Sequence, residues 1–357
     1  MVNEASKIAR AGMHALPVLV AAGLAAGAGL AAGAAERLVR VSDGATPMGT
    51  YAMVTVYAPD EAAGREAIAA ALAAIDEVEA ATSHYRDASE VSRLNRSAGG
   101  PPMQVGQHVW AVLCRAAEVS KETDGAFDVT VGPLIALWKR TWKKGQPPTE
   151  AEAAAARELV GYRNLRLIPD KTLGSVQLLK AGMQLDLGGI GKGYASDQAI
   201  ATLRKRGIPA ALVAIAGDIF ALGAPPERQA WLVGIRNPAQ PDKILPAPLR
   251  LRDQAVSTSG DYEQFATMGG KRYSHIVDPR TGRPVEHMTS VTVVAPDATT
   301  ADAYATALSV LGPEAAVAFA ENHPGIEVMV IYDRDGKPQV AQSRGFRRLQ
   351  VTPDEPH

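Results

Sequence analysis

Asp186-Leu187-Gly188-Gly189-Ile190-Gly191-Lys192-Gly193-Tyr194 sets a carboxylate after an apolar run, then four glycines within six residues, then a lysine where a helix should begin. Glycine lets backbone approach a ligand closely, and the unpaired N–H groups of a helix start attract anions. The stretch reads as a strand-to-helix turn able to cradle a phosphorylated ligand. It matches neither common nucleotide signature. A P-loop needs glycine five residues before Gly191 and Ser or Thr after Lys192, where this chain has Asp186 and Gly193. A dinucleotide fingerprint begun at Gly189 would need glycine at Tyr194. The same residues also read as a tight turn with no ligand at all.

Two later segments bear on that choice. Residues 273–284 run Tyr-Ser-His-Ile-Val-Asp-Pro-Arg-Thr-Gly-Arg-Pro, and residues 299–308 run Thr-Thr-Ala-Asp-Ala-Tyr-Ala-Thr-Ala-Leu. With the glycine-rich turn, their order and wording resemble the ApbE family, the FAD:protein FMN transferases. Met48-Gly49-Thr50, residues 83–86 with 89–95, 123–133, 231–235 and 257–263 complete the likeness, which runs from about Met48 to about Gly312. The resemblance implies an α+β fold: a single ApbE-like (T-fold-like) domain with mostly antiparallel sheets and flanking helices. It also implies Mg-dependent transfer of FMN from FAD to a threonine of an acceptor flavoprotein, releasing AMP. That acceptor is expected to be a subunit of a membrane redox complex. Two other readings stay open: an FAD-binding or storage protein, and an FAD pyrophosphatase yielding FMN and AMP.

With 357 residues and 46% apolar content the chain can bury a sizeable core. Its 37 basic residues against 38 acidic ones argue against nucleic acid as the main partner. Cys114 is alone, so neither an intrachain disulfide nor a cysteine zinc site is available, and it reads as a small buried residue. Lys7 and Arg10 precede an uncharged run over residues 11–35, rich in Ala and Gly. Residues 1–36 therefore read as a signal peptide or an N-terminal membrane anchor, residues 37–350 as the flavin transferase domain, and 351–357 as a short tail. The domain is expected in the periplasm or at the extracytoplasmic face of the cytoplasmic membrane.

Pattern places a strand in residues 46–57 and an amphipathic helix over 61–81, where Ile68, Leu72, Ile75 and Val78 repeat at helical spacing. Further helices are expected over 106–122, 149–158, 193–206, 301–311 and 313–321. Residues 164–184 read as a hairpin; 211–222, 231–236, 249–258, 291–295 and 328–332 read as strands. Residues 138–148, basic and then Pro-rich, read as an exposed connector.

Asp302 and Thr306 stand four apart on a helical stretch and share one face, offering hard oxygen donors suited to Mg²⁺. Spacing alone equally allows Asp302 to complement a helix N-terminus capped by Thr300. By resemblance Asp302 and Thr306 are metal ligands, with the backbone oxygen of Gly189 as a third, because Ala305 replaces a carboxylate that some members carry. Resemblance also assigns Asp186 and Lys192 to FAD, Tyr85 to stacking on the isoalloxazine, and Met48, Ala126, Phe127, Asp128 and Ile276 to further contacts. Thr258, with Ser259, could add hydrogen bonds to phosphate. His275 is a candidate general base, with Asp278 to orient it. One departure stands out: Ala214-Ile215-Ala216-Gly217-Asp218 replaces the family's usual Asn-Ala-Gly-Gly-Asp/Asn.

Overall fold

The computed structural model describes residues 37–351 apart from 172, 261–264, 269 and 287; the expected leader or anchor and all but the first residue of the tail lie outside them. Strands β1 (Val39–Ala45), β2 (Ala52–Ala58), β3 (Ala210–Ile215), β4 (Asp218–Leu222), β5 (Gln254–Gly260), β6 (Met288–Ala295), β7 (Glu327–Arg334) and β8 (Lys337–Gln342) form one sheet. Its order follows the chain from β1 to β8, and every neighbouring pair is antiparallel. The sheet is thus a meander whose long connections carry the helices, in keeping with the expected α+β class.

Strand periodicity divides the interior in two. Ala211, Val213 and Ile215 of β3 join the large core that includes Ile68 and Ile75 of α1 (Glu61–Thr82), Ile200 and Leu203 of α2 (Gly191–Lys205), and Leu308 of α3 (Ala298–Leu311). Ala210, Leu212 and Ala214 face the other way, into a second core with Trp231, Leu249 and Phe346. Both faces of β3 are covered, so all six of its residues are buried and none needs to be polar. Each fully buried Ile or Leu contributes roughly 1.5–3 kcal/mol.

The helix expected over 149–158 forms as Glu150–Arg157 with a capping box between Thr149 and Glu152, and the hairpin in 164–184 pairs Leu165–Pro169 with Gly174–Leu178. Other expectations need correction. Residues 138–148 are an exposed connector only in part: helix Gly132–Lys144 takes up 138–144 and ends at Gly145, whose φ of 71° suits glycine, and 145–148 link it to the next helix. Leu134, Trp138 and Thr141 form its buried stripe, while Lys139, Arg140, Lys143 and Lys144 face outward. Trp138 Nε1 donates to the Gly282 carbonyl at 2.9 Å. The basic residues are the solvated face of an amphipathic helix. Residues 211–222 are two strands, not one, reversed at Ala216 with φ 52°; residues 249–258 are likewise two segments, broken at Asp253 with φ 53°. Residues 46–57 begin with a turn at Pro47–Gly49, and β1 and β8 are additional strands. Cys114 is half-buried. Among the described residues no helix is long and apolar enough to cross a membrane.

Candidate functional site

The glycine-rich stretch enters the fold beside residue 129, whose carbonyl accepts the Asp186 N–H at 2.8 Å. Asp186 Oδ1 then accepts the Gly188 N–H at 2.8 Å, closing the turn that delivers α2. Helices α2 and α3 cross so closely that two glycines are required. A Cβ on Gly193 would stand 2.1 Å from the Ala298 carbonyl oxygen and 2.8 Å from Asp302 Cβ; one on Gly189 would stand 2.8 Å from Thr306 Oγ1. The turn therefore lies directly against the two side chains singled out on α3.

Asp302 is buried, with 2% of its surface exposed. Its Oδ2 accepts the Gly193 N–H at 3.0 Å, and both its oxygens lie 3.3 Å from Lys192 Nζ. Lys192 Nζ also stands 3.0 Å from Asp218 Oδ2 and donates to the Gly188 carbonyl at 3.2 Å. Asp218, at the first position of β4, is buried too and accepts the Ser257 hydroxyl. Burial, and then the neighbouring Asp218 carboxylate, hold the Asp302 carboxyl above its ordinary range against the pull of Lys192. Burial alone would lower the Lys192 pKa; the two carboxylates outweigh it and raise that pKa above lysine's ordinary value.

Two carboxylates thus face one ammonium in a poorly hydrated spot, leaving surplus negative charge. The donors around it are hard oxygens: a carboxylate, a hydroxyl and the carbonyls of a glycine-rich turn. That set fits a hard divalent cation. No group of three or more His, Cys, Asp or Glu suited to a metal occurs among the described residues, so a cation here would depend on backbone and hydroxyl donors.

These residues line one cavity of about 710 Å³. Met48, Tyr85, Ala126, Phe127, Asp128, Asp186, Gly189, Lys192, Thr258, His275, Ile276, Asp302 and Thr306 all stand in its wall. Tyr85 is 74% exposed, lies against His84 with ring centroids 3.9 Å apart, and accepts a hydrogen bond from Lys139 Nζ at 2.7 Å. Met48 holds a left-handed backbone, φ 55°, the kind of local strain found at ligand walls. Thr258 Oγ1 meets Thr292 Oγ1 at 3.0 Å across β5 and β6. Phe127 and Ile276 are buried.

Two of the expected residues have their carboxylates engaged by neighbouring protein groups. The Asp128 carboxylate is occupied internally by the Thr130 N–H and hydroxyl and by the Tyr162 N–H, at 2.6–2.8 Å. It shapes the loop carrying Ala126 and Phe127. Asp278 is absent from the cavity wall and borders a neighbouring groove; its carboxylate pairs with Arg280 at 3.0 Å and accepts that residue's N–H at 2.9 Å. Sequence reading named Asp218 only within the departing Ala214–Asp218 stretch, without a role, and gave none to Lys139 or Trp142; all three stand in the wall. Asp218 carried a usable signal, a lone charge beside an otherwise apolar strand.

Residues 48–330 match the family model described as the ApbE family. The FAD:protein FMN transferase of Treponema pallidum is 35% identical over 298 residues, covering 80% of this chain and 82% of that protein. That of Escherichia coli K12 is 33% identical over 281 residues, 78% and 80% of the two chains. The apo crystal structure of the flavinyl transferase ApbE of Pseudomonas stutzeri superposes with a TM-score of 0.77 at 30% identity, covering 87% of this chain and 97% of that one.

Proposed function

The chain belongs to the ApbE family, and we propose that it transfers FMN from FAD to a threonine side chain of an acceptor flavoprotein, with Mg²⁺ as its metal and AMP as the product released. One observation carries the reading. A glycine-lined helix start, the Lys192 ammonium, the Asp302–Thr306 pair and the exposed Tyr85 ring converge on a single cavity.

Each residue has a distinct task. Tyr85 offers its face to the flat flavin ring system, and Met48 closes against it. Lys192 offsets the pyrophosphate charge, as do the Thr258 and Ser259 hydroxyls. Asp302, Thr306 and the Gly189 carbonyl would hold Mg²⁺, which would supply Lewis-acid stabilisation of the phosphate charge. His275 takes the proton of the acceptor hydroxyl as that oxygen bonds to the FMN phosphorus and the bridging P–O bond to AMP breaks. Asp278, whose carboxylate also pairs with Arg280, orients His275 in this reading. The acceptor is a flavoprotein subunit of a membrane redox complex, met outside the cytoplasmic membrane to which residues 1–36 deliver or anchor the domain.

Intact-mass measurement of a threonine-containing flavin acceptor domain, after incubation with this protein, FAD and Mg²⁺, tests the proposal. A gain equal to one FMN, lost in EDTA and in Asp302→Ala, is expected. Free FMN and AMP with an unmodified acceptor would instead identify a pyrophosphatase.

A further inference from the structure

Gly189, Gly193 and Asp197 follow one another at intervals of four, and each meets α3 at a position four residues further back. Gly189 lies against Thr306, Gly193 against Ala298 and Asp302, and Asp197 against Ala298 and Thr299. Asp197 Oδ1 accepts the Ala298 N–H at 2.8 Å, while Oδ2 accepts the Thr299 N–H at 2.9 Å and the Thr299 hydroxyl at 2.5 Å. Helix α3 has its own cap as well: Asp297 accepts the Thr300 N–H at 2.7 Å and the Thr300 hydroxyl at 2.9 Å. The first turn of α3 is therefore gripped twice, once by its own chain and once by α2.

The Gly189 contact is steric and sets how near the turn comes to α3, while Gly193 both allows the close approach and donates its N–H to Asp302. The Asp197 contact is directional and sets which residue of α3 faces which residue of α2. A slip of one residue along a helix turns its face by about 100°, which would carry Asp302 away from the Gly193 N–H and Lys192. The Ala298 N–H that Asp197 accepts lies eight residues before Thr306 on α3, about 12 Å along its axis at 1.5 Å per residue. Asp197 is absent from the cavity wall.

We propose that Asp197 is a positioning residue, locking α3 onto α2 in the one register that brings Asp302 and Thr306 against the glycine-rich turn and so builds the cation site. The inference rests on reading Asp302 and Thr306 as cation ligands. A purely structural cap would lower stability without changing the cation affinity of the protein that remains folded.

Mn²⁺ titration of the full chain followed by electron paramagnetic resonance gives that readout, beside thermal denaturation and FAD titration in EDTA. Asp197→Ala is expected to stay folded, weaken Mn²⁺ binding at least tenfold, and leave metal-free FAD affinity within about twofold. Asp197→Asn, which keeps one acceptor oxygen, should fall between it and the wild type. Wild-type Mn²⁺ affinity in folded Asp197→Ala, with affinity lost in Asp302→Ala, overturns the positioning role and leaves the cation site standing. Wild-type affinity in Asp302→Ala overturns both. Where Asp197→Ala does not fold, Thr299→Val, which removes one of the three contacts, decides: a loss of threefold or more supports the lock, and no loss overturns it.

Discussion

Lys192→Met removes one ammonium from between two buried carboxylates, 3.0 Å from Asp218 and 3.3 Å from Asp302. Stripping one partner from a buried ion pair costs about 3–5 kcal/mol, because the remaining charge has no compensation. Here the lysine side chain keeps 28% of its exposure, and Asp302, with its raised pKa, can take up a proton instead. Both effects reduce the penalty to about 2 kcal/mol. At about 2–3 °C per kcal/mol for a chain of this size, the Tm in EDTA should fall by about 4–6 °C. Saturating Mg²⁺ should then raise the variant's Tm more than the wild type's, narrowing the gap to less than half, since a cation on Asp302 replaces the missing charge. Differential scanning calorimetry with and without Mg²⁺ measures both quantities. An unchanged Tm in EDTA, or a gap that Mg²⁺ does not narrow, would refute the view that the lysine and the metal answer the same surplus of negative charge.

Three further outcomes are expected. Tyr85→Ala should leave the unliganded Tm within about a degree, because the ring is 74% exposed, yet weaken FAD binding about 2- to 10-fold through lost stacking; equal affinities in a fluorescence titration would retire the stacking role. Ala216→Gly should stabilise the chain by about 0.5–1 kcal/mol, since φ 52° costs alanine about 1–2 kcal/mol and glycine's greater chain entropy returns part of it; a urea midpoint below wild type would contradict that. In EDTA Asp302 should contribute to the pH dependence beside Asp197, whose carboxyl pKa is likewise raised by burial. The folded pKa of Asp302 lies above the unfolded value, so the folded state binds the proton more tightly; the stability this group contributes is complete below about pH 4 and is lost as pH rises toward neutrality. Asp302→Asn should flatten that decline, and an unaltered pH profile in the variant would show that another group governs it.

Much of the site was legible along the chain because its parts are local. The Asp186–Tyr194 turn, the Asp302–Thr306 spacing and the His275 segment each declare a chemistry within ten residues, and their joint order carried the family resemblance. Cores at helical spacing, such as Ile68, Ile75 and Val78, were equally plain. The misreadings arose where local composition and tertiary role diverge. The segment after Trp138 is rich in lysine and arginine, yet its helix buries Leu134, Trp138 and Thr141 on one side. The turn at Ala216 hides inside an apolar run because alanine, unlike glycine or asparagine, gives no sign of a left-handed backbone. Strand β8, polar and exposed at the sheet edge, has no buried face to impose an alternating pattern.

By itself, then, the sequence determined the α+β class, most of the helices and the residue types able to bind a phosphate and a cation. Those follow from propensity, periodicity and side-chain chemistry, which act over a few residues. Only the tertiary structure decided that Asp218 joins Asp302 around Lys192, that Tyr162 and Arg280 engage the Asp128 and Asp278 carboxylates, and that Gly189, Gly193 and Asp197 all come against α3. Each of these depends on the approach of segments tens to more than a hundred residues apart, or on which way a carboxylate turns once packed, and no local pattern encodes either.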